Sequence, residues 1–135
     1  LQEPFHVMKD IHRILKNKGQ LIVRVPHFSR GFTQADHKRG FDVTFPLYFN
    51  PAFQGGYVGV AFVLKQMRLG WFAQPYLAKT LLSPIPYYGG RALGAIFDFL
   101  ASLSPVLCSR LWCYWVGGFE EIEYRFLCDK RPNGV

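Results

Sequence analysis

Apolar residues recur at helical spacing from Pro4 to Leu15. Pro4 suits the first turn of a helix, where the missing N–H group of proline costs nothing. One face of the predicted helix is apolar and consists of Met8, Ile11, Ile14 and Leu15. Gly19 predicts a helix stop, because glycine tolerates the left-handed conformation that closes many helices. The pattern therefore predicts a helix that begins at Pro4 and ends before Gly19.

The pattern changes at Gln20, where an almost continuous run of apolar and β-branched residues extends to Pro26. Such a run is typical of a strand that is buried on both faces, in a parallel sheet covered by helices. Helix, tight turn and buried strand form half of a βαβ unit. Ligands bind beyond the carboxyl ends of the strands in such sheets. The residues after Pro26, beginning with His27 and Ser29, are therefore the first place to expect a site.

Two further strands and a helical segment follow. Residues 57–69 and 119–128 alternate as strands, and the apolar face of the second consists of Ile122, Tyr124, Phe126 and Cys128. Residues 91–103 repeat apolar positions at helical spacing. Ser104-Pro105 then predicts the cap and first residue of a second helix, which Gly117-Gly118 would end. Residues 73–90 are expected to be irregular because they are rich in proline and glycine, and residues 130–135 are expected to form a flexible tail.

Residues 27–56 predict a long loop that is both aromatic and basic. Loops of this length are usually functional or disordered. Its seven aromatic residues argue against disorder: Phe28, Phe32, Phe41, Phe45, Tyr48, Phe49 and Phe53. We expect this segment to form a wall of an acceptor pocket or a lid over it.

Composition narrows the class of protein. The 135 residues suffice for one domain, and a net charge of +7 fits an anionic membrane, a nucleic acid, an acidic substrate or plain solubility. Three cysteines without C-x-x-C spacing argue against a disulfide framework and a zinc site. The longest apolar stretch, residues 92–108, is broken by Asp98 and Pro105, which argues against a membrane-spanning helix. We expect a cytoplasmic location, with attachment to a membrane surface left open.

Several polar residues are candidates for chemistry. His27 could act as a general base, because imidazole exchanges a proton near neutral pH, or it could be a loop histidine bonded to backbone. Asp36, His37, Lys38 and Arg39 could orient an anionic acceptor, or they could form a solvated charged turn.

Other sites are less favoured by the spacing of residues. His27, Asp36 and His37 do not have a recognised metal-ligand spacing, so no metal site is predicted. The aromatic cluster Trp112, Tyr114 and Trp115, with Arg110, could lie at a membrane interface, in the core or against a partner domain. Nucleic acid is not an expected partner, because no recognition motif is present.

The beginning of the chain resembles a known family. Glu3-Pro4, the run Met8 to Val23 and Val25-Pro26-His27 resemble the region after the cofactor motifs in class I S-adenosylmethionine-dependent methyltransferases, and most closely the type 11 group. Asn17-Lys18-Gly19 stands where that group has Pro-Gly-Gly. The match covers about the first third of the chain and is much weaker beyond it. Some members also carry a stretch similar to Asp36-His37-Lys38-Arg39.

The resemblance implies a Rossmann-like sheet that ends in an antiparallel pair, with the last strand between its two predecessors. Residues 57–69 and 119–128 would form that pair, and 91–116 would be a helical insertion between them. The Gly-rich cofactor loop of the family is not found in the sequence. Residues 1–129 would then be the acceptor-side, carboxyl-terminal part of one methyltransferase domain, inactive without its amino-terminal half.

The resemblance also implies the partners. S-adenosylmethionine would be held mainly by the missing half, and the methyl acceptor, which is unidentified, would be a small molecule or an acceptor of glycan or lipid type. Ser29 and the residues Asp36 to Arg39 would contact the acceptor, and His27 would be the candidate base. The alternative is a non-catalytic basic and aromatic module that binds an anionic membrane surface or a partner protein.

Overall fold

Three strands and the helices between them form a mixed α/β structure in a computed structural model that describes residues 3–30, 38–72 and 74–131. The elements in chain order are α1 (Pro4–Ile14), β1 (Gln20–Pro26), a 3₁₀ helix (Phe45–Phe49), β2 (Ala61–Gly70), α2 (Pro75–Leu81), α3 (Pro84–Leu103), α4 (Pro105–Trp115) and β3 (Glu121–Asp129). Within α4, the turn Cys108–Trp112 is π-helical. The predicted first helix and first strand are confirmed.

The sheet has the order β1-β3-β2, and β3 runs antiparallel to both neighbours. Tyr124 at its centre lies opposite Val23 on one side and Met67 on the other. The last strand of the chain therefore lies between the two earlier ones, as predicted. Within the described residues, β1 and β2 are the edges of the sheet. All the strand pairs are antiparallel, so the sheet supports a general α/β class.

One face of the sheet carries the core. Ile122, Tyr124, Phe126 and Cys128 alternate along β3 and are almost completely buried, as their spacing predicts. Phe49 from the 3₁₀ helix and Met8 from α1 belong to the same buried cluster. Phe49 has no exposed surface, and its ring centroid lies 5.1–6.1 Å from those of four neighbouring phenylalanines: Phe5, Phe45, Phe62 and Phe126.

The prediction that β1 is buried on both faces is wrong. Exposure alternates along the strand, and Ile22 is half exposed. Arg24 Nε donates to Glu123 Oε2 at 2.6 Å, and Arg125 Nε donates to the other carboxylate oxygen at 2.8 Å. Burial alone would raise the pKa of Glu123, but the hydrogen bonds from Arg125 and Arg24 outweigh it and lower the pKa below its usual value. Charged pairs of this kind favour a face near water.

The prediction that residues 73–90 are irregular is also wrong. They contain α2 and the first third of α3. Pro75 and Pro84 lie in the first turns of these helices, where proline fits, and α3 continues through Gly89-Gly90. The predicted cap at Ser104 and the predicted helix end at Gly117-Gly118 are confirmed. Leu107 N donates to the Ser104 hydroxyl at 3.3 Å, and the helix is followed by Gly117 and Gly118 with φ of 75° and 119°.

The end of α1 and the turn after it differ from the prediction in two details. The left-handed residue is Lys18, with φ of 62°, and not Gly19. Glycine is required at position 19 because a Cβ there would lie 2.8 Å from the carbonyl oxygen of Lys16. Ile14, placed on the apolar face by its spacing, is 72% exposed.

The end of the described chain is attached to the rest of the fold. Lys130 N donates to Asn17 Oδ1 at 3.1 Å, and Arg131 pairs with the Asp129 carboxylate. The first two residues of the predicted flexible tail are therefore bonded, and residues 132–135 lie outside the described part of the chain.

Candidate functional site at the carboxyl end of β1

His27 directly follows β1 and is completely buried. Its backbone N–H donates to Glu120 O at 3.0 Å, which continues the pairing of β1 with the segment before β3. Its ring nitrogens both lie near serine hydroxyls: Nδ1 is 2.8 Å from Ser29 Oγ, and Nε2 is 3.1 Å from Ser109 Oγ. The imidazole thus joins the end of β1 to α4.

Burial lowers the pKa of His27 to about 4, although the charge of Asp42 acts in the opposite direction. The ring is therefore neutral at physiological pH. In this conformation it contacts protein groups and has no exposed surface. A neutral imidazole between two hydroxyls is well suited to hold the site together. Its role as a general base stays a prediction, because an acceptor could reach it only after one of the serines moves.

Ser29 and Arg30 attach the next residues of the loop to the segment that precedes β3. The Ser29 hydroxyl donates to Phe119 O and accepts from Phe119 N, both at 3.2 Å. Arg30 donates to Gly118 O at 3.2 Å and to Glu120 Oε1 at 3.0 Å. These contacts fix the backbone at the carboxyl end of β1, where the sequence predicts a site.

The predicted acceptor-binding residues are only partly described. Asp36 and His37 lie outside the described residues. Lys38 and Arg39 are exposed, and Arg39 lies 3.9 Å from the Glu3 carboxylate, with both side chains more than half exposed. An exposed pair at this distance contributes little to stability. Ser29 and His27 are thus brought together, whereas Lys38 and Arg39 are not part of that cluster.

Three rings of the aromatic loop pack into the core. Phe41, Phe45 and Phe49 are buried in the core, and the rings of Phe41 and Phe45 meet edge to face at 5.0 Å. Burial of a large aromatic ring away from water stabilises the fold more than its exposure in a loop, so these rings pack into the core. The role of residues 27–56 as a lid or pocket wall stays a prediction: Phe49 also lines a cleft beside β2, and residues 31–37 lie outside the described part of the chain.

A cleft of about 260 Å³ lies at the same end of the sheet, between β2, β3 and α3, and the sequence did not single out its acidic residues. Asp98 from α3 and Glu121 from β3 both line it. Burial raises the pKa of Glu121, against the opposing charge of Arg24, and burial also raises the pKa of Asp98, against a 2.7 Å hydrogen bond from Trp71 N. Carboxyl groups with raised pKa values in a cleft are candidates for proton exchange.

Asp42 is a third residue that sequence reasoning missed. Its carboxylate accepts from Thr44 N at 2.8 Å and from Arg110 on α4 at 3.0 Å. Its backbone carbonyl accepts from the buried Tyr124 hydroxyl. The Asp-x-Thr spacing is a turn signal that could have found the first contact. The other two join residues 68 and 82 positions apart, which a single sequence does not reveal.

The described residues contain no group of three or more histidine, cysteine or acidic side chains close enough to hold a metal ion. The cysteines are free thiols, and burial raises the pKa of Cys108 to about 12. The raised pKa keeps the Cys108 thiol protonated at neutral pH.

No family model matches the chain, and no match was found among curated proteins or solved structures.

Proposed function

We propose that this chain forms the acceptor-side part of a class I S-adenosylmethionine-dependent methyltransferase domain. The observation that carries the proposal is the sheet order β1-β3-β2, with the last strand antiparallel between its predecessors. This is the arrangement expected for the end of such a sheet from the resemblance of residues 3–27. The cytoplasmic location belongs to the same proposal.

On the edge of β1 that faces away from β3, Phe41 N donates to Pro26 O at 2.9 Å. The rest of this edge supports the proposal that a further strand completes the sheet. His27 N donates to Glu120 O, and Cys128 N donates to Gly19 O. Alternate residues of an antiparallel strand point the same way, so the backbone groups of Ile22 and Arg24 face away from β3. A parallel neighbour on that edge would complete a Rossmann-like sheet and cover the half-exposed Ile22.

The described residues do not themselves offer a cofactor cradle. None of their three strands leads through a glycine-rich turn into a helix, the arrangement that holds a nucleotide cofactor in this class of fold. We therefore assign S-adenosylmethionine, the donor of the methyl group, to a segment outside these 135 residues.

The residues of this chain would place the acceptor. Methyl transfer depends mainly on alignment of the acceptor atom and on exclusion of water. The bonds of Ser29 and Arg30 to residues 118–120 make the carboxyl end of β1 rigid, which such alignment requires. Glu121, at the cleft, is better placed than the enclosed His27 to accept a proton from an incoming acceptor.

Calorimetric titration with S-adenosylhomocysteine tests this proposal. The protein as its natural gene encodes it should bind the ligand saturably at one site per chain, and NADH, the cofactor of other Rossmann-like proteins, should give no binding heat. Glu121→Gln should change the affinity for S-adenosylhomocysteine less than about threefold, because the cleft lies on the acceptor side. Absence of binding would refute the methyltransferase proposal, and a large loss in Glu121→Gln would refute the division between cofactor and acceptor sides.

A further inference from the structure

The helices between β2 and β3 expose an unusual amount of apolar surface. Of the 24 large hydrophobic side chains that are exposed in the described residues, 18 lie between Tyr76 and Val116. Ile85 and Trp115 are each 87% exposed, and Leu103 is 70% exposed. We refer to the outer side of α2, α3 and α4 as the apolar helical surface. An accumulation of exposed large apolar side chains marks a site of interaction with a protein or a membrane.

Packing within the described chain does not use this surface. The buried residues of α3 are Tyr87, Gly94 and Ala101, and α2 has none. A Cβ at Gly94 would lie 2.9 Å from the Trp71 ring, so α3 approaches the rest of the fold closely through a small residue. The large side chains of α3 are left on the opposite side.

The charges around the apolar helical surface are positive. The chain from residue 74 to residue 118 carries the exposed Lys79 and Arg91, together with Arg110, whose guanidinium pairs with Asp42 at 3.0 Å. It has a single acidic residue, Asp98. Asp98 is half-buried and accepts the 2.7 Å hydrogen bond from Trp71 N. The outward charge therefore complements an anionic surface.

The bent arrangement of α3 and α4 suits a position in the interface of a bilayer. Within the described residues, no single helix is long and apolar enough to cross a membrane, as the interrupted apolar stretch predicts. Only α3 and α4 taken together are long and apolar enough, and the chain bends by 110° between them. Trp112, Tyr114 and Trp115 cluster near the end of α4 and are exposed. Tryptophan and tyrosine are the residues that favour the level of lipid headgroups.

A groove of about 330 Å³ opens between α3 and α4 and is almost entirely apolar. Leu100, Leu107 and Trp112 are among its lining residues, and Phe119 closes its inner end. Phe119 is also the residue whose backbone bonds to Ser29. One lining residue of the groove is therefore in direct contact with the loop that follows β1.

We propose that the apolar helical surface docks into the interface of an anionic lipid bilayer, with Lys79, Arg91 and the indole of Trp115 at the level of the headgroups and Ile85 among the acyl chains. This inference does not depend on the methyltransferase proposal. It follows from the distribution of apolar and charged side chains on these helices.

Vesicle sedimentation of the natural full-length protein tests the inference. The protein should bind vesicles of phosphatidylcholine mixed with phosphatidylglycerol more tightly than vesicles of phosphatidylcholine alone, and added salt should weaken the binding. On binding, tryptophan fluorescence should shift to shorter wavelength and be quenched by spin-labelled lipids. The double variant Ile85→Ser/Trp115→Ser should bind at least about tenfold more weakly, because two exposed apolar side chains no longer enter the lipid.

Matched controls separate the surface from general hydrophobicity. Ile14→Ser and Leu47→Ser remove apolar side chains that are 72% and 41% exposed on α1 and the 3₁₀ helix, and they should leave vesicle binding unchanged. Lys79→Glu/Arg91→Glu should abolish the preference for phosphatidylglycerol. Far-ultraviolet circular dichroism should show the wild-type fold in each variant, since every changed residue is exposed.

Three outcomes would overturn the inference. The first is that the protein binds neither kind of vesicle. The second is that the control variants weaken binding as much as Ile85→Ser/Trp115→Ser. The third is that the protein forms concentration-dependent oligomers that the double variant disrupts, without any vesicle binding, and the surface would then be a protein interface. Failure of vesicle binding would leave the S-adenosylhomocysteine titration unaffected, so the two proposals are tested separately.

Discussion

Phe49→Ala should lower the free energy of unfolding by about 3–5 kcal/mol, the usual loss for a large aromatic side chain in a core. Phe49 has no exposed surface, and its ring packs against α1, β2 and β3 through Phe5, Phe62 and Phe126. Removal of the ring would leave a cavity at the point where these elements meet. Chemical denaturation followed by circular dichroism measures the change.

Leu47→Ala is the matched control for this substitution. Leu47 lies in the same 3₁₀ helix but is 41% exposed, so its truncation should cost less than about 1 kcal/mol. Equal losses for the two variants would show that the 3₁₀ helix is not packed as described. The comparison also tests whether the aromatic loop belongs to the core, as the structure has it, or to a pocket wall.

His27 should make stability depend on pH between about 6.5 and about 4. The pKa of the buried ring is lowered to about 4, whereas an unfolded histidine titrates near 6.5. In this range the unfolded chain binds more protons, so the free energy of unfolding falls as the pH falls. The full difference corresponds to about 3 kcal/mol, at about 1.4 kcal/mol per pKa unit.

Denaturation at several pH values measures this contribution by difference. His27→Asn should be less stable than wild type at neutral pH, because a shorter side chain cannot reach both serines, and it should lack most of the slope between pH 6.5 and pH 4. His6→Asn changes an exposed histidine on α1 and should retain the wild-type slope. A slope that persists in His27→Asn would mean that the buried ring is not the titrating group.

The positions of the strands could be predicted from the sequence because their pattern is local. The alternation of Ile122, Tyr124, Phe126 and Cys128 identifies β3 and its buried face. The placement of β3 between β1 and β2 was expected from the family resemblance, and the observed order agrees. The prolines after residue 73 misled the local interpretation, because proline begins a helix as readily as it ends one.

The candidate site was predicted in position but not in composition. His27 was singled out because it follows β1, yet its burial depends on Ser109, which lies 82 positions later. Glu121 and Asp98 share a cleft only because α3 packs against the end of the sheet. Contacts between residues so far apart are set by tertiary packing, which the pattern of one sequence does not specify.

Amide hydrogen exchange at Ile22 and Arg24, measured residue by residue by NMR in the natural full-length protein, tests the central claim most directly. These amides face the open edge of β1. If a parallel strand completes the sheet there, their exchange should be slowed by on the order of a hundredfold or more, as for Val23 and Val25, which face β3. Rapid exchange at Ile22 and Arg24, with slow exchange at Val23 and Val25, would show that β1 is a true edge and would contradict the account.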